Sequence, residues 1–494
     1  MIIKLSSLLI ALAVAASAHA APFKSKANEA ATARHLARLV AGFDPKTAEL
    51  TLFFSQMPKG ADLHHHYSGS IYAEQYVDWL DKQGYCVNKQ TYRIVTDKDV
   101  VAAERAKKPL DRTCLGTADV LADDYTYREL LQRWSSKDFD NHGAIQPPPD
   151  RQFFQTFGFF GAVSNNNFAE GLQELKKRAI QENISYIETM FKLAPFAINA
   201  DFDSAMWQAG ASDAALDETM RAWSAVLEQD AAFNTNLDDF VSRTASAAAG
   251  IDDERFTMRY QAYVLRLLAP SQVFSSMLSA FKAAGKSPLI VGVNIVGQES
   301  QNVSMRDYAL HMKMFRFLKT RYPDVKLALH AGELALGDVP PDGLRFHIDQ
   351  ALNVAGANRI GHGLDLAHES NAIAIMKSMR ARDIAVEINL TSNAFISGIK
   401  GENHPLTMYR QYGVPYVIST DDAGVTRHTL AQEYVLFASR YKPGYAEVKK
   451  TSYNGLRYSF LSQDDKQRLA RQLDERYAVF EANIAALAAG AAKR

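Results

Sequence analysis

From about residue 168 onward, short apolar runs alternate with amphipathic segments, and this alternation constrains the fold more than any other feature of the sequence. One amphipathic segment places Leu172, Leu175 and Ala179 on a single helical face. The apolar runs are rich in β-branched and aromatic residues, which is typical of buried strands. Strands that alternate with helices predict a parallel sheet covered by helices.

Eight runs are strand candidates, beginning with one near residue 60. Eight strands, most of them followed by helical patterns, predict an α/β protein with a (β/α)8 TIM barrel. An open doubly wound sheet is the alternative, but the G-x-G-x-x-G turn typical of dinucleotide-binding sheets does not occur in the sequence. In chain order, the candidates are ADLHHHYS, ISYIETMF, MRYQAYVLRL, PLIVGVNIVG, KLALHAGE, NRIGHGL, IAVEINLTSN and PYVISTDDA.

The remaining segments frame the predicted barrel. Residues 26–50 have a helical pattern, and the stretch ANEAATARHLARLVAGF predicts an amphipathic helix that ends at Gly42. We therefore divide the chain into an N-terminal helical extension at residues 21–56 and a barrel at residues 57–494. Residues from about 83 to 151 are less regular, and we expect them to form an insertion after the first strand.

Several strand candidates end in residues that bind metals or transfer protons. The first ends in three consecutive histidines, KLALHAGE ends in His330 and Glu333, NRIGHGL contains His362, and PYVISTDDA ends in Asp421 and Asp422. Barrel enzymes build their active sites from the C-terminal ends of several strands at once. This coincidence of polar strand ends predicts an active site at that end of the barrel.

The three consecutive histidines divide into two groups by strand geometry. Side chains in a strand alternate between faces, so His64 and His66 share one face and His65 points to the other. Two imidazoles on one face can bind the same ion, whereas we expect His65 to pack outward against the helices. His330 and Asp421 complete a set of three histidines and one carboxylate, which suits Zn²⁺ with a position left open for water.

The other polar residues suit chemistry beside such an ion. Zn²⁺ lowers the pKa of water toward 7 and so makes a hydroxide nucleophile available. Glu333 lies three residues beyond His330 and is a natural general acid or base. We expect His362 to hold the water or to accept a proton, and Asp422 to contact the substrate.

Four segments together resemble the signature motifs of the adenosine deaminase family of zinc hydrolases: MPKGADLHHHYSG, HAGE, IGHG and STDD. The segment VNIVGQE is similar to that family's glycine segment after the fourth strand, and FFQTFGFF, at residues 153–160, is similar to its aromatic helix over the purine pocket. The resemblance covers roughly Met57 to Tyr434 and is interrupted by the insertion. The MPKG segment and the signal-like N-terminus look closer to the secreted adenosine deaminase-related growth factors than to the compact cytosolic enzymes of the family.

This resemblance implies a deaminase that converts adenosine or 2′-deoxyadenosine to the inosine compound and ammonia, with one Zn²⁺ per chain. It also implies a role for each matching residue. In this chain the roles are zinc binding by His64, His66, His330 and Asp421, protonation of the purine N1 by Glu333, positioning of the hydroxide by His362, a bond to N7 from Asp422, and a backbone contact with N3 from Gly297.

The sequence departs from the family pattern near the expected ribose site. Ser68 stands where many members carry an aspartate that meets the sugar, and Met190 replaces an arginine common at the end of the second strand. The loop LALGDVPPDGLRF after Glu333 is expected to alter the mouth of the site. These changes bear on the choice of substrate and leave the metal-binding and acid–base residues in place.

Other functions stay open at this point. The substrate can be another aminopurine, such as adenine, a 5′-modified adenosine or an N6-substituted nucleoside. A non-catalytic exported binding or signalling protein on the same fold is a second alternative, although every ligand and the acid are retained. A two-metal hydrolase with a bridging modified lysine is a third, but VGVNIVG contains no lysine.

The first 20 residues resemble an export signal. Lys4 is their only charged residue, and the apolar run after it ends in Ala18-His19-Ala20, an A-x-A cleavage pattern. A membrane anchor is the alternative, but the apolar run is shorter than the roughly 20 residues that span a bilayer. We therefore expect a signal peptide at residues 1–20 and an exported protein, periplasmic or extracellular, without stable membrane association.

Cysteine content and net charge agree with this expectation. Cys86 and Cys114 are the only cysteines, and a pair in an exported chain often forms a disulfide, although two buried free thiols are the alternative. Lysines plus arginines number 55, as do aspartates plus glutamates, so the net charge is zero. A chain without basic bias is not a nucleic-acid binder, and we expect a small purine nucleoside as its partner.

Overall fold

Eight parallel strands form a barrel in the computed structural model of the chain, which describes residues 21–140, 146–208 and 212–491. The strands form where the apolar runs of the sequence lie, and all residues of the last four strands are buried. They are β1 Lys59–His66, β2 Ile184–Leu193, β3 Thr257–Leu265, β4 Ile290–Val296, β5 Ala328–Ala331, β6 Arg359–His362, β7 Ala385–Ile388 and β8 Tyr416–Ile418.

The strands pair as two four-stranded sheets that meet at two seams. The sheets follow the orders β1-β2-β3-β4 and β5-β6-β7-β8. At one seam the backbone N–H of Asp421 donates to the carbonyl of His64 at 2.7 Å. At the other, the N–H of Val293 donates to the carbonyl of Lys326 at 2.9 Å. Both seams are parallel bridges, so the sheet is closed. The predicted (β/α)8 barrel is therefore confirmed, and the doubly wound alternative is excluded.

Helices cover the barrel and connect its strands. Those before β1 are Ala21–Leu39 and Thr47–Gln56. Between β1 and β2 lie Tyr67–Ser70, Ala73–Gln83, Lys98–Ala106, Thr117–Ala122, Asp124–Arg133, Pro149–Ser164 and Phe168–Gln181, with a 3₁₀ turn at Pro109–Asp111. After β2 they are Ala200–Met206, Asp213–Gln229, Ala231–Ala247, Pro270–Lys286, Asn302–Arg321, His347–Asn353, Ala372–Ala381, Leu390–Ile396, Leu406–Tyr412, Ala423–Thr426, Leu430–Tyr441, Tyr445–Arg457 and Gln463–Ala491, with 3₁₀ turns at Pro341–Leu344, Leu366–His368 and Gly401–Asn403.

The helical pattern at residues 26–50 is interrupted in the structure. One helix ends at Leu39 and the next begins at Thr47. Gly42 between them has a φ of 79°, a left-handed conformation that ends helices. Pro45 follows and cannot lie in a helix interior.

The stretch IAVEINLTSN, expected to be a strand throughout, is only partly one. The strand β7 ends at Ile388, and a helix begins at Leu390. The side chain of Glu433 accepts the backbone N–H groups of Leu390 and Thr391 at 2.7 and 3.0 Å. These amides therefore bond to a carboxylate instead of continuing the strand ladder.

The segment between the first two barrel strands contains a small antiparallel sheet of Cys86–Asn88, Ile94–Val95 and Cys114–Leu115. Cys86 and Cys114 form a disulfide within it, as predicted. Among the described residues, no helix has the length and apolar character needed to cross a bilayer. The predicted signal peptide, residues 1–20, lies outside the described residues.

Candidate active site

Three imidazoles and one carboxylate meet at the C-terminal end of the barrel. His64 and His66 come from the end of β1, His330 from β5, and Asp421 from the residues just after β8. The Nε2 atom of His330 lies 3.1 Å from that of His64 and 3.3 Å from that of His66. The Oδ1 atom of Asp421 lies 3.4 and 3.1 Å from the same two nitrogens.

These distances fit a tetrahedrally bound ion. Ligands about 2.0–2.1 Å from Zn²⁺ lie about 3.3–3.4 Å from one another in a tetrahedron. Four of the donor–donor distances lie between 3.1 and 3.4 Å. Because three imidazoles and a carboxylate are ligands that divalent transition metals prefer, the residues present fit a metal site.

His362 also lies close to this cluster. Its ligand atom falls within 4.8 Å of those of His64, His330 and Asp421. Its Nε2, however, lies 3.9 Å from the Oδ2 atom of Asp421, farther than the nitrogens of either β1 histidine from Oδ1. The donors His64, His330 and Asp421 can thus be joined by His362 or by His66, and the shorter distance to Asp421 favours His66.

Hydrogen bonds fix the tautomers of two of the donor histidines. The Nδ1 atom of His64 donates to Oε2 of Glu387 at 2.6 Å, and Nδ1 of His330 donates to Oδ1 of Asn294 at 2.9 Å. Both bonds leave the Nε2 lone pair free for an ion, which is the usual support for metal-binding histidines. Glu387 is in turn bonded by Nε of the buried Arg359 at 2.5 Å.

His65 lies on the other face of β1. Its Nδ1 atom is 2.9 Å from the hydroxyl of Thr189, and it lines a cavity of about 20 Å³ shared with Arg178 of a covering helix. Its side chain is thus separated from the donor atoms, as the alternation of side chains along a strand predicts.

Glu333 and His362 lie together at the edge of the metal site. Burial, together with the charges of Asp421 and Glu299, raises the pKa of Glu333 well above its usual range, which favours the protonated carboxyl. Burial, together with His64, lowers the pKa of His362 to about 3, so its imidazole is neutral.

The orientation of His362 follows from its neighbour on the helix after β7. The side-chain amide of Asn393 donates to Nδ1 of His362 at 3.0 Å, so the ring proton is on Nε2. This Nε2 is buried and has no hydrogen-bond partner among the described residues. A buried donor without a partner beside a metal site is available to a water or a substrate.

Asp422 and Ser68 lie on the same wall of the site. A side chain on Gly69 would lie 1.5 Å from Oδ1 of Asp422, so only glycine allows this aspartate to sit against the short helix Tyr67–Ser70 after β1. Burial and the neighbouring Asp421 raise the pKa of Asp422 well above its usual range. Its Oδ1 atom has no hydrogen-bond partner among the described residues.

A cavity of about 360 Å³ opens onto these residues. Its walls include Ser68, Gly297 and Met190, and three phenylalanines of the helix Pro149–Ser164 cover it. The described residues that line it include no lysine or arginine. A larger cavity, of about 1110 Å³, lies beside residues 136–140 and shares none of its described lining residues with this one.

The sequence did not single out the residues that support the site. Glu387, Asn294 and Arg359 are polar side chains within otherwise apolar strands, and all three are buried. A polar residue inside a buried strand needs a partner, and that signal could have identified them. Their partners could not be named, because Glu387 lies more than 300 positions from His64.

Comparison with known proteins agrees with this geometry. The family model described as adenosine deaminase matches residues 228–476, about half of the chain. The matched region contains His330, Glu333, His362 and Asp421.

Two curated relatives are similar over part of their length. An adenosine deaminase of Pectobacterium atrosepticum is 33% identical over 158 residues, which cover 32% of this chain and 44% of the relative. That of Aliivibrio fischeri strain MJ11 is 32% identical over 154 residues, 31% of this chain and 43% of the relative. The chain thus matches less than half the length of these relatives.

Solved structures share the fold at lower sequence identity. The N6-methyl-AMP deaminase of Arabidopsis thaliana is 18% identical, with a TM-score of 0.53 over 86% of this chain and 98% of that chain. The adenine deaminase of Arthrobacter aurescens is 15% identical, with a TM-score of 0.51 over 85% and 98% of the two chains. With the family model matched across half of its residues, the chain belongs to the adenosine deaminase family.

Proposed function

We propose that this protein catalyses the zinc-dependent hydrolysis of adenosine and 2′-deoxyadenosine to the inosine compounds and ammonia. The observation that carries the proposal is the donor cluster with 3.1–3.4 Å spacing beside the buried carboxyl of Glu333, whose Oε1 lies 3.5 Å from Nδ1 of His362. Metal donors and a general acid at one point suit hydrolytic loss of an amine from a ring.

The residues have complementary roles in this reaction. Zn²⁺, when bound, supplies the Lewis acidity that makes water a nucleophile near neutral pH. The Nε2–H of His362 orients that water, and Glu333 donates its proton to the ring nitrogen N1 as water adds to C6, while Asp422 in its protonated form donates to N7. The added water gives up both of its protons. One passes to the amino group, which leaves as ammonia when the carbon–nitrogen bond breaks, and the other restores the acid form of Glu333.

The cavity favours an uncharged nucleoside as the substrate. A phosphate needs basic side chains or several amide donors, and no lysine or arginine lines the described part of the cavity. Related proteins act on different purines, as the names adenine deaminase and N6-methyl-AMP deaminase state. The phenylalanines and Met190 supply apolar walls, and Ser68 adds no carboxylate at its own position. N6-substituted and 5′-modified adenosines are therefore the second candidate class.

Formation of the 6-oxopurine product from a substrate panel tests this proposal. The purified, zinc-loaded protein is supplied with adenosine, 2′-deoxyadenosine, adenine, N6-methyladenosine and AMP, and the Glu333→Gln protein is the matched control. We expect the two nucleosides to be the best substrates and AMP the poorest. If none of the five compounds gives its 6-oxopurine product, the assignment is contradicted and a non-catalytic binding protein is favoured.

We further propose that the chain is exported, as in the secreted adenosine deaminase-related growth factors that its sequence resembles. The signal pattern in residues 1–20 and the Cys86–Cys114 disulfide support export. N-terminal sequencing of the protein from the cell envelope and the medium checks it. A mature start near Ala21 agrees with export, and an intact Met1 in the cytosolic fraction contradicts it.

A further inference from the structure

A single carboxylate, that of Glu299, joins the loops after β4 and β5. Glu299 follows β4 by three residues, its side chain is buried, and Gly297 precedes it in the same loop. Its Oε1 accepts the backbone N–H of Gly332 at 3.0 Å, and its Oε2 accepts the backbone N–H of Glu333 at 3.1 Å. Each oxygen therefore bonds one of two consecutive amides just after β5.

The backbone shape at this point presents both amides to one anion. Gly332 has a φ of 72°, and a side chain there would lie 2.2 Å from Oδ1 of the buried Asp365. Only glycine adopts this conformation without strain at such a close approach. Consecutive N–H groups around a left-handed residue form a concave anion site, and Glu299 fills it.

Buried cationic and polar groups hold the Glu299 carboxylate in place. Nη1 of the buried Arg266 lies 3.4 Å from Oε2, and Nδ1 of His347 bonds Oε1. Nη2 of the same arginine also donates to the carbonyl of His330 at 3.0 Å. Although burial opposes the charge, Arg266 and His347 lower the pKa of Glu299 to about 2, so the carboxylate stays ionised.

We propose that Glu299 is a positioning residue for Glu333: by holding the amides of Gly332 and Glu333, it sets the direction in which the acid side chain leaves the backbone. The inference rests on the proposed function, in which Glu333 donates the proton. Glu299 is not among the described residues that line the cavity, whereas Glu333, whose amide it holds, is. A general acid must lie within hydrogen-bond reach of its target, and a shift of about 1 Å can cost about 100-fold in rate.

Two substitutions at position 299 test this role. Glu299→Gln replaces one acceptor oxygen with an NH₂ group that cannot accept an amide N–H. Glu299→Asp keeps the charge beside Arg266 and shortens the reach to the amides, so it stays informative if the first variant does not fold. We expect kcat to fall about 10- to 100-fold in either variant, with KM and zinc content within about twofold of wild type.

A double variant separates positioning from a general structural effect. If Glu299 acts through Glu333, Glu299→Gln adds little to the loss already caused by Glu333→Gln, and the double variant matches Glu333→Gln within about threefold. Equal fold losses from Glu299→Gln in both backgrounds would overturn the inference. A loss confined to KM, or a loss of zinc, would overturn it as well.

A matched control and a readout without substrate complete the test. Glu104 also accepts two consecutive amides, those of Thr113 and Cys114 at 2.8 and 3.3 Å, but it lies in the insertion. Glu104→Gln should leave kcat unchanged. Amide exchange at residues 332–333 of the metal-free protein should quicken in Glu299→Gln and not in Glu104→Gln, and unchanged exchange would overturn the inference. If the wild-type protein shows no turnover, the proposed deaminase function is contradicted. The role of Glu299 is still tested in that case, because the exchange measurement needs no activity.

Discussion

At the scale of single residues, the period of a strand places three adjacent histidines in two environments. His64 and His66 lie among the metal donors, and His65 bonds Thr189 on the other side of β1. If His64 and His66 bind one ion, loss of either ring affects the same site, whereas His65 contacts its own separate neighbours. Similar side chains next to one another in sequence are thus expected to respond differently to the same substitution.

Metal content measures this difference. We expect His64→Ala and His66→Ala to lose most of the bound zinc, because each removes one of four donors from a tetrahedral site. His65→Ala should keep it, and it serves as the control for the loss of an imidazole from β1. Metal analysis after dialysis measures the zinc content of each variant. Equal loss of zinc from all three variants would reject this ligand set.

Glu333 carries a second residue-scale prediction. Glu333→Gln keeps the shape of the side chain and removes the proton it donates. We expect turnover to fall by roughly 100-fold or more, the usual scale for general acid catalysis, while zinc content stays the same. Steady-state kinetics on adenosine give the result, and near-normal turnover would assign the acid role to another residue.

Ser68 carries a prediction about the sugar. Its side chain faces the cavity, and its carbonyl accepts the Tyr76 hydroxyl at 2.7 Å, which holds the backbone in place. A carboxylate here adds a strong acceptor for a free 5′-hydroxyl, worth about 1.5–3 kcal/mol. Ser68→Asp should therefore raise the preference for adenosine over 5′-deoxyadenosine by roughly 10- to 150-fold in kcat/KM. The same ratio in both proteins would show that position 68 does not contact the sugar.

Much of the site could be predicted at the residue scale, because its ligands follow recognisable strands. The spacing of His64 and His66, and the carboxylates after β8, needed only the alternation of side chains along a strand. Glu299 and Asn294 could not be given roles in the same way. Their roles depend on contacts between loops and strands, which only the folded barrel defines.

At the scale of elements, the insertion supports the helix that covers the cavity. The guanidinium of Arg93 donates to the carbonyl of Gly158 at 3.2 Å, and the side chain of Gln152 donates to the carbonyls of Gln132 and Ser135 at 2.9 Å each. The helix Pro149–Ser164 is thus held from the insertion side. The insertion could be located in the sequence, but its small sheet could not be predicted, because its strands are only two or three residues long.

The disulfide gives a prediction for the insertion. Because it closes a loop of 28 positions, the bond stabilises the fold by about 3–4 kcal/mol in the chain-entropy view. Thiol titration of the denatured, unreduced protein should detect no free thiol, with the reduced protein as the positive control. Two free thiols in the protein recovered from an oxidising compartment would contradict the bond.

Helix and strand order was predicted well where the apolar pattern was long. The strand–helix alternation identified all eight barrel strands. The errors lie where a side chain intervenes, as Glu433 does by binding the amides of Leu390 and Thr391. Local strand propensity carries no information about a side chain distant in sequence that binds the backbone amides.

At the scale of the whole molecule, the metal donors span one seam of the barrel. His64 and His66 belong to the first strand, and Asp421 follows the last, so an ion bound between them links the two ends of the barrel. His330 comes from β5, which forms the other seam with β4. Binding of the ion is therefore expected to stabilise the closed sheet as a whole.

Removal of the metal should lower the thermal stability of the barrel. Zinc at about 1,000 times its Kd adds about 4 kcal/mol, which corresponds to a Tm shift of roughly 4 °C for a chain of 494 residues. Calorimetry with and without a chelator measures the shift. His65→Ala should show the same shift as wild type, and His64→Ala should show almost none. An equal effect of the chelator on His64→Ala would place the stabilising ion elsewhere.

Because the metal donors lie on both sides of the seam between β1 and β8, the site is complete only after the last strand has been synthesised. Ribosomes add residues from the N-terminus at about 5–20 per second, so roughly 350 residues, and on the order of 20–70 s, separate the synthesis of His66 from that of Asp421. A nascent chain therefore carries two imidazoles of its metal site long before the carboxylate exists. On the proposed function, a product truncated before β8 lacks Asp421 and is expected to be inactive.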